Sequence, residues 1–390
     1  MSLAPESFGS TGRASGTLPL PDAARLDDVQ GTPPAWAVVF AGGIGSRFWP
    51  LATPATPKPV LPLVGGRPLV AESIDRLDPL VPADRVLVVT SADIAGAVRA
   101  ALPTLPGANL LVEERPIGTA SALAWGVAEV QRRAGEGTIV CAMHADLAAA
   151  FPMALREALR RAGLVAARER ALLAIAARPR RAEPSFGYLR VGATLDPDDP
   201  FDAGGAAEAT QFVEKPGSEA AAALIRDGAL WHAGMFVARA GDILAALALY
   251  TPEVAGGLRH LDAGDVHAFS LCVRPVSIER GLLERVGRLL VAAPDFGWDD
   301  VGTWAGLRRV RDLDDAGNGA LGRAHFIDAT GNVVHADEGV VVAFGVSQLL
   351  IVTRPGLTFV TSLERAADLK PLLDSLPGSA RIHPASLGDV

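Results

Sequence analysis

Lysine is almost missing from this 390-residue chain. Of its 36 basic residues, only Lys58, Lys215 and Lys370 are lysines, so arginine supplies nearly every generic positive charge. Arginine offers a planar fork of donors, whereas lysine offers a compact ammonium. We therefore expect that Lys58 and Lys215, which lie in candidate site motifs, are retained because their sites need the smaller cation.

Cysteine is scarce as well, and long apolar runs are missing. The two cysteines, Cys141 and Cys272, lie in strand-like apolar contexts without metal-ligand spacing, which indicates reduced core residues in a reducing compartment. No uninterrupted apolar run reaches about 18 residues, and no charged segment followed by an apolar one begins the chain. The sequence therefore predicts a cytoplasmic protein without a membrane span or a signal peptide.

Positive charge is not concentrated anywhere along the chain. The net charge is −8 and the isoelectric point about 5.4, with no basic run and no stripe of basic and aromatic residues. This pattern argues against nucleic acid as a partner. A negatively charged substrate must therefore be met by a local site.

A glycine-rich segment over residues 41–51 is the most informative motif. Residues 36–40 are typical of a buried parallel strand, and the glycines that follow allow a sharp turn with backbone amides close to an anion. The segment and its continuation contain six candidate phosphate-binding residues: Gly42, Gly43, Gly45, Ser46, Arg47 and Lys58. The spacing fits neither a dinucleotide fingerprint nor a P-loop, and the prolines after position 49 disfavour an immediate helix. The motif predicts a polyphosphate site in a long loop.

Strand-like runs alternate with helical patterns from residue 36 onward, which is typical of βαβ units and a mostly parallel sheet. The predicted strands are 36–40, 85–90, 109–113, 138–143 and 171–177, and the predicted helices are 69–77, 92–102, 119–134 and 153–167. After residue 319, short β-branched runs predict a small all-β module closed by a helix over 363–376. We therefore expect a flexible extension over 1–34, a catalytic α/β domain over 35–318 and a β module over 319–390.

Two carboxylates are candidates for a divalent cation. Asp146 follows the strand predicted over 138–143, and Asp300 lies between two tryptophans, Trp298 and Trp304. Mg²⁺ in proteins is commonly held by one or two carboxylates together with substrate phosphates. Asp299 remains an alternative to Asp300 at this stage.

Further candidates lie in three short motifs. Glu214 and Lys215 form an adjacent acid and base that suits a sugar phosphate, although a surface ion pair is an equally simple interpretation. His232 and Gly187 are weaker candidates for the same pocket. Gly118 and Thr119 precede a helix, where Thr119 can act as an N-cap and Gly118 can face a base.

These motifs together resemble those of the sugar nucleotidyltransferases, and in particular the mannose-1-phosphate guanylyltransferase family. The segments around residues 41–59 and 212–216 are similar to motifs of the whole superfamily. Residues 231–236 and 298–304 resemble more discriminating motifs of the guanylyltransferases. The likeness runs from about residue 36 to residue 376. Departures at Pro59, Leu147 and His232 leave the sugar and the base open.

The resemblance implies a Rossmann-like, mostly parallel mixed sheet flanked by helices, with a short C-terminal β-helix. Exposed strand edges on the predicted β module make a homodimer possible. The resemblance also implies GTP and mannose 1-phosphate as substrates, Mg²⁺ as cofactor and in-line attack on the α-phosphate. The implied nucleotide contacts are Gly42, Gly43, Arg47, Lys58, Gly118 and Thr119. The implied metal ligands are Asp146 and Asp300, and the implied sugar-phosphate contacts are Gly187, Glu214, Lys215 and His232. Alternatives are another sugar or base, or a non-catalytic sugar-nucleotide sensor.

Overall fold

A nine-stranded mixed sheet forms the centre of the chain. The computed structural model describes residues 36–64, 66–199, 201 and 205–377, so the extension expected over 1–34 lies outside the described residues. The strands before residue 300 are β1 Trp36–Phe40, β2 Val86–Ser91, β3 Leu110–Glu113, β4 Ile139–His144, β5 Leu147–Ala149, β6 Leu172–Ala177, β7 Gly187–Thr194, β8 Ala206–Glu214, β9 Leu230–Arg239, β10 Leu289–Ala292 and β11 Trp298–Asp300. The sheet order is β3-β2-β1-β4-β9-β6-β10-β8-β7, and only β8 and β9 run against the other strands. The mostly parallel fold that the sequence predicts is confirmed.

Helices cover both faces of this sheet. They are α1 Leu69–Asp75, α2 Ala92–Ala101, α3 Thr119–Ala134, α4 Pro152–Glu169, α5 Ser218–Arg226, α6 Ala240–Tyr250, α7 Pro252–Ala255, α8 Leu258–Asp262, α9 Val266–Cys272, α10 Trp304–Val310 and α11 Lys370–Ser375. Strand β1 and helix α3 have the predicted bounds, and the ends of the other elements predicted before residue 319 differ from the prediction by no more than two residues. No helix within the described ranges is long and apolar enough to cross a bilayer.

The alternation of side chains along β1 explains the two-layered core. Val38 and Phe40 join the apolar cluster on one face of the sheet. Ala37 and Val39 join the cluster on the other face. Because β1 is buried on both sides, it is apolar at every position, as parallel strands usually are. It pairs in parallel with β2 and β4, so the carboxyl ends of all three strands meet at one edge.

The chain after residue 318 forms a small β module. Its strands are β12 Gly319–Leu321, β13 Ala324–Ile327, β14 Val333–Ala336, β15 Val341–Phe344, β16 Leu349–Arg354 and β17 Leu357–Ser362. Parallel pairs β12–β14–β16 and β13–β15 stack the chain as in a short β-helix, and β17 returns antiparallel to β16. The helix predicted over 363–376 is shorter in the structure, where α11 follows a single 3₁₀ turn, Arg365–Ala367.

A third apolar cluster joins this module to the loop after the glycines. Phe48 and Trp304 are fully buried there beside Val333 and Leu350. The two rings lie 5.2 Å apart, a contact typical of aromatic pairs in cores. The β module thus supports the far side of the loop that begins at the end of β1.

The two cysteines differ from each other in environment. Cys141 is buried in β4, as expected, and burial raises the pKa of its thiol to about 12. Cys272 is exposed at the end of α9, with its Sγ 3.5 Å from Nε2 of His260. The expectation that both are core residues is therefore wrong for Cys272, because the end of α9 lies at the surface.

Candidate active site

The glycine loop leaves β1 and turns back onto Lys58. Gly43 and Gly45 have φ values of 85° and 81°, a region that favours glycine. The Lys58 amide donates to the carbonyl of Ile44 at 2.9 Å. A Cβ placed on Gly45 would lie 2.3 Å from Cβ of Lys58. The loop and the lysine stem are therefore packed too closely for any side chain at position 45.

Lys58 is an unusual lysine because only 8% of it is exposed. Its ammonium donates to Oδ2 of Asp146 at 2.6 Å and lies 5.3 Å from the centre of the Phe48 ring. Burial alone would raise the pKa of Asp146, but the charge and hydrogen bond of Lys58 together with the charge of His144 and a backbone hydrogen bond outweigh burial and lower that pKa. The pair thus holds one fixed cation at the end of β1 and an ionised carboxylate at the end of β4.

A two-stranded ribbon brings Asp300 to the same place. Strands β5 and β11 pair antiparallel, with Asp300 opposite Leu147, the residue after Asp146. Burial and the negative charge of Asp146 together raise the pKa of Asp300 to about 6. Asp300 also accepts a hydrogen bond from the amide of Gly302 at 2.9 Å. The two carboxylates that the sequence singles out are therefore electrostatically coupled.

The neighbouring Asp299 is engaged elsewhere. Both of its carboxylate oxygens accept from Arg309, each at 2.8 Å. An arginine paired through two parallel bonds already neutralises the carboxylate. This arrangement favours Asp300 over Asp299 as the partner of Asp146.

The donor set fits a hard divalent cation that also binds phosphate. Asp146 and Asp300 are electrostatically coupled, and burial together with the negative charge of Asp146 raises the pKa of Asp300 more than Lys58 lowers it. Within the part of the chain that the structure describes, His, Cys, Asp and Glu do not form a group of three able to hold a metal alone. Two carboxylates completed by substrate oxygens are a usual arrangement for Mg²⁺.

A cavity of about 310 Å³ opens at the carboxyl edge of the sheet beside Lys58. Six residues predicted from sequence line it: Gly42, Gly43, Lys58, Gly118, Thr119 and Asp146. Gly118 precedes α3 with a φ of 81°, and a Cβ there would lie 2.5 Å from the amide of Val276. Thr119 is the first residue of α3 rather than its cap, and its hydroxyl accepts from the amide of Ile278 at 2.9 Å.

Arg47 and Ser46 are placed differently from the other loop residues. Both side chains are exposed on a 3₁₀ turn, Ser46–Phe48, and neither lines the cavity, nor does Gly45. Phe48 anchors that turn in the third apolar cluster. The structure therefore brings Lys58 to the cavity, while Arg47 faces solvent at the rim of the same loop.

The sugar-phosphate candidates lie in a second group of side chains. Gly187 pairs with Glu214 across β7 and β8, and a Cβ on Gly187 would lie 3.0 Å from the Glu214 carboxylate. The Glu214 side chain is 5% exposed and accepts from Lys215 at 2.8 Å. Burial raises the pKa of Glu214, and Lys215 opposes that shift. Because the acid is buried, the interpretation as a loose surface ion pair does not apply.

His144 and Glu279 connect this group with the cavity, and neither was assigned a role from sequence. Nε2 of His144 lies 3.7 Å from Oε1 of Glu279. Burial alone would lower the pKa of His144, but Glu279 and the negative charge of Asp146 together outweigh burial and raise it. Glu279 also interacts electrostatically with Glu214 and His232. The position of His144, two residues before Asp146, is the signal that could have identified it, since alternate strand residues share a face.

His232 is buried in β9, where its ring lies 5.4 Å from the Phe212 ring. Burial lowers the pKa of His232 to about 4, so the imidazole is neutral at pH 7. Its Nδ1 is buried and has no hydrogen-bond partner among the described residues. A neutral imidazole with one unsatisfied nitrogen is suited to hydrogen bonding with a hydroxyl-rich ligand.

Substituting Gly45 by alanine is expected to lower both stability and activity. The new Cβ would overlap the stem of Lys58 and require a positive φ, which costs an L-residue about 1–2 kcal/mol before any clash. Gly42→Ala is a matched control for stability, because a Cβ there meets nothing within 4 Å. Thermal unfolding of both variants tests this, and an unchanged melting temperature for Gly45→Ala would contradict the packing argument.

Comparison with known proteins shows the family to which this chain belongs. A family model described as nucleotidyl transferase matches residues 36–316, and the chain belongs to this family. Nucleotidyltransferases of this family generally use a divalent metal. The matched range covers the main sheet and the glycine loop as well as both carboxylates.

Similar proteins with known names indicate the type of nucleotidyltransferase. Mannose-1-phosphate guanylyltransferases from Klebsiella pneumoniae and Escherichia coli are 28% and 29% identical, each over 88% of this chain and 74% of the relative. A crystal structure described as mannose-1-phosphate geranyltransferase from Thermus thermophilus is 32% identical, with a TM-score of 0.79 over 87% of this chain and 98% of that one. The chain is thus a sugar-phosphate nucleotidyltransferase, as its motifs predict.

Proposed function

We propose that this enzyme makes GDP-mannose and pyrophosphate from GTP and mannose 1-phosphate. A phosphate oxygen of the sugar phosphate attacks the α-phosphorus, and the bond from that phosphorus to the oxygen bridging to the β-phosphate breaks. The observation that carries this proposal is the ion pair of Lys58 and Asp146 beside the cavity, with Asp300 electrostatically coupled to both. The names of the guanylyltransferase relatives support mannose and guanine as the specific groups.

The reaction needs no general base from the protein. The attacking phosphate oxygen is already ionised at neutral pH, because the second pKa of a phosphate monoester is about 6. The tasks left for the chain are to position the two phosphates in line and to stabilise negative charge as it moves toward the leaving pyrophosphate. Lys58 suits this task because Asp146, Phe48 and Gly45 fix its ammonium before substrate binds.

Backbone amides and the two aspartates complete the phosphate site. The positive-φ turns at Gly43 and Gly45 leave the loop amides free of side chains that would keep an anion away. Asp146 and Asp300 would hold the divalent metal, which when bound neutralises phosphate charge. Arg47 at the rim can reach a phosphate only from the solvent side of the loop.

The second group of side chains suits the sugar phosphate. Glu214 accepts hydrogen bonds from sugar hydroxyls, and the half-exposed Lys215 offers its ammonium to the phosphate. The neutral His232, which like Glu214 interacts electrostatically with Glu279, would add a further hydrogen-bonding group. We infer that the coupling through His144 and Glu279 keeps these groups in a fixed arrangement beside the metal carboxylates.

A panel of nucleotides and sugar 1-phosphates, with pyrophosphate release as the signal, tests the proposal. We expect GTP with mannose 1-phosphate to give the highest kcat/KM and EDTA to abolish turnover. A preference for another nucleotide and sugar phosphate would support the nucleotidyltransferase reaction but contradict GTP and mannose 1-phosphate as its substrates. Tight binding of GDP-mannose without any pyrophosphate exchange, in protein loaded with Mg²⁺, would contradict catalysis and favour a sugar-nucleotide sensor.

A further inference from the structure

The β module contacts the loop that carries Lys58 through hydrogen bonds as well as through the third apolar cluster. Arg354, the last residue of β16, donates from Nη1 to the carbonyl oxygens of Pro50 and Leu51 at 3.0 and 3.3 Å. Both carbonyls precede Lys58 in the chain. The module therefore holds the backbone of the loop on the N-terminal side of the lysine.

Arg354 is itself held by a carboxylate of the module. Its Nε donates to Oδ2 of Asp337 at 2.9 Å. Strands β14 and β16 pair in parallel with Ala336 opposite Thr353, so the residues that follow, Asp337 and Arg354, are neighbours. A guanidinium presents its donors in a rigid planar fork. Here the fork bridges a carboxylate of the module and two carbonyls of the loop.

A second arginine holds the loop on the C-terminal side of Lys58. Arg311, directly after α10, donates from Nε to the carbonyl of Leu63 at 3.2 Å. It also contacts the β module, through the carbonyl of Val334 at 3.2 Å and Nδ1 of His335 at 3.1 Å. All three of these acceptors are neutral, and burial lowers the pKa of Arg311 to about 10. The guanidinium remains charged at neutral pH, so both sides of the loop are bonded to a cation.

His335 connects the two arginines. Arginine only donates, so Nδ1 of His335 accepts from Arg311 and we assign the ring proton to Nε2. Nε2 lies 3.0 Å from Oδ1 of Asp337, whose other oxygen accepts from Arg354. Burial and the positive charge of Arg311 lower the pKa of His335 to about 4, which keeps the ring neutral at pH 7. An unbroken chain of hydrogen bonds thus joins one side of the loop to the other.

The loop has little regular structure of its own to fix Lys58. Residues 51–63, which the structure describes in full, contain one regular element, the 3₁₀ turn Lys58–Val60. Four prolines in this segment lack an amide donor. A segment with few internal hydrogen bonds opens easily unless other parts of the chain hold it.

We propose that four side chains form a clamp through which the β module positions Lys58 for the reaction. They are Arg311, His335, Asp337 and Arg354. This inference rests on the proposed role of Lys58 and deepens it. None of these four side chains lines the cavity beside Lys58, so they act through the loop and not on the substrate. Misplacing a catalytic group by about 1 Å can cost roughly a hundredfold in rate.

Arg354→Met tests the clamp, because methionine keeps an apolar stem and removes every donor. We expect kcat to fall by roughly 10- to 100-fold. The KM values for GTP and mannose 1-phosphate should change little, since Lys58 acts on charge that develops in the transition state. A variant with native kcat would overturn the proposal.

Arg308→Met is the matched control. Arg308 is a half-buried arginine of α10, and its Nε donates to the carbonyl of Gly317 at 3.1 Å, outside the loop. The control thus loses a similar arginine-to-carbonyl bond in the same region of the chain. We expect its kcat to stay close to native, and a loss equal to that of Arg354→Met would contradict a specific effect on the loop.

A double-mutant cycle with Lys58→Met separates positioning from general support of the fold. If Arg354 acts through Lys58, its substitution has nothing left to misplace once the ammonium is gone. Arg354→Met should then lower kcat/KM by less than about twofold in the Lys58→Met background, which is the usual error of additivity. The same fractional loss in both backgrounds would overturn the proposal, because independent effects add in free energy.

Amide hydrogen exchange over residues 51–63 gives a readout that does not depend on turnover. We expect faster exchange there in Arg354→Met than in Arg308→Met, with unchanged exchange in β1. Native exchange rates in Arg354→Met would overturn the clamp even if the Lys58→Met variants turn over too slowly to compare. Failure of the unaltered protein to release pyrophosphate from any nucleotide would contradict the proposed function instead, and hydrogen exchange would still test the clamp.

Discussion

Asp300→Asn is expected to abolish turnover and at the same time to stabilise the metal-free protein. The folded protein raises the pKa of Asp300 from 3.8 to about 6, because burial and Asp146 both disfavour the charged form. A carboxylate with a raised pKa destabilises the fold as pH increases, since ionising it costs more in the folded than in the unfolded chain. Asparagine keeps the volume of the side chain and its carbonyl oxygen and removes that cost.

The gain in stability should follow pH in a defined way. Below about pH 3 both states protonate Asp300, so the variant and the native protein should unfold at similar temperatures. The difference should grow as pH rises through the range between the two pKa values and be nearly complete above about pH 7. A shift of one unit corresponds to about 1.4 kcal/mol, so the gain is at most roughly 3 kcal/mol. Thermal unfolding in EDTA at pH 4 and pH 8 measures it.

Asp146→Asn is the matched variant and should behave in the opposite way. It also removes a carboxylate of the proposed metal site, so we expect a loss of kcat/KM of at least about a hundredfold for either change, as for other electrostatic groups. It leaves the ammonium of Lys58, which is 8% exposed, without its partner. Because the Asp146 side chain is 38% exposed, we expect a stability loss of only about 1–3 kcal/mol. Equal effects of the two variants on stability would refute this account of the site.

The fold could be predicted largely because its central elements depend on local pattern. Strand β1 is apolar throughout and is followed at once by glycines, and α3 runs from a threonine after glycine to a glycine at its end. Such elements show their bounds in the sequence itself. The ribbon of β5 and β11 could not be predicted, since its strands are three residues long and lie about 150 positions apart.

Sequence motifs could single out candidate residues for the site but not their arrangement. Asp146 and Asp300 were identified by their motifs, while the reason that Asp300 rather than Asp299 faces Asp146 is the pairing of Asp299 with Arg309. Contacts of this kind join segments that are distant in the chain, so no periodic pattern in the sequence predicts them. Glu279 was missed for the same reason, because its partner His144 lies far away in the chain.

Lys58→Arg is expected to lose about a hundredfold to a thousandfold in kcat/KM, the usual effect of removing one fixed electrostatic donor from a transition state. The lysine stem runs against the backbone of Gly45, and its ammonium is 2.6 Å from Asp146 and 5.3 Å from the centre of the Phe48 ring. A guanidinium is wider and flatter than an ammonium, so it cannot keep this position without displacing the glycine loop.

Stability should change much less than activity in Lys58→Arg, because the variant keeps a positive charge beside Asp146. Arg67→Lys makes the reverse exchange in an exposed pair with Asp75, outside the site, and should leave both activity and melting temperature nearly unchanged. Steady-state kinetics with GTP and mannose 1-phosphate, alongside thermal unfolding, compares the two variants. Turnover close to normal in Lys58→Arg would mean that any cation suffices at this position. The scarcity of lysine in the chain would then have no bearing on the chemistry of the site.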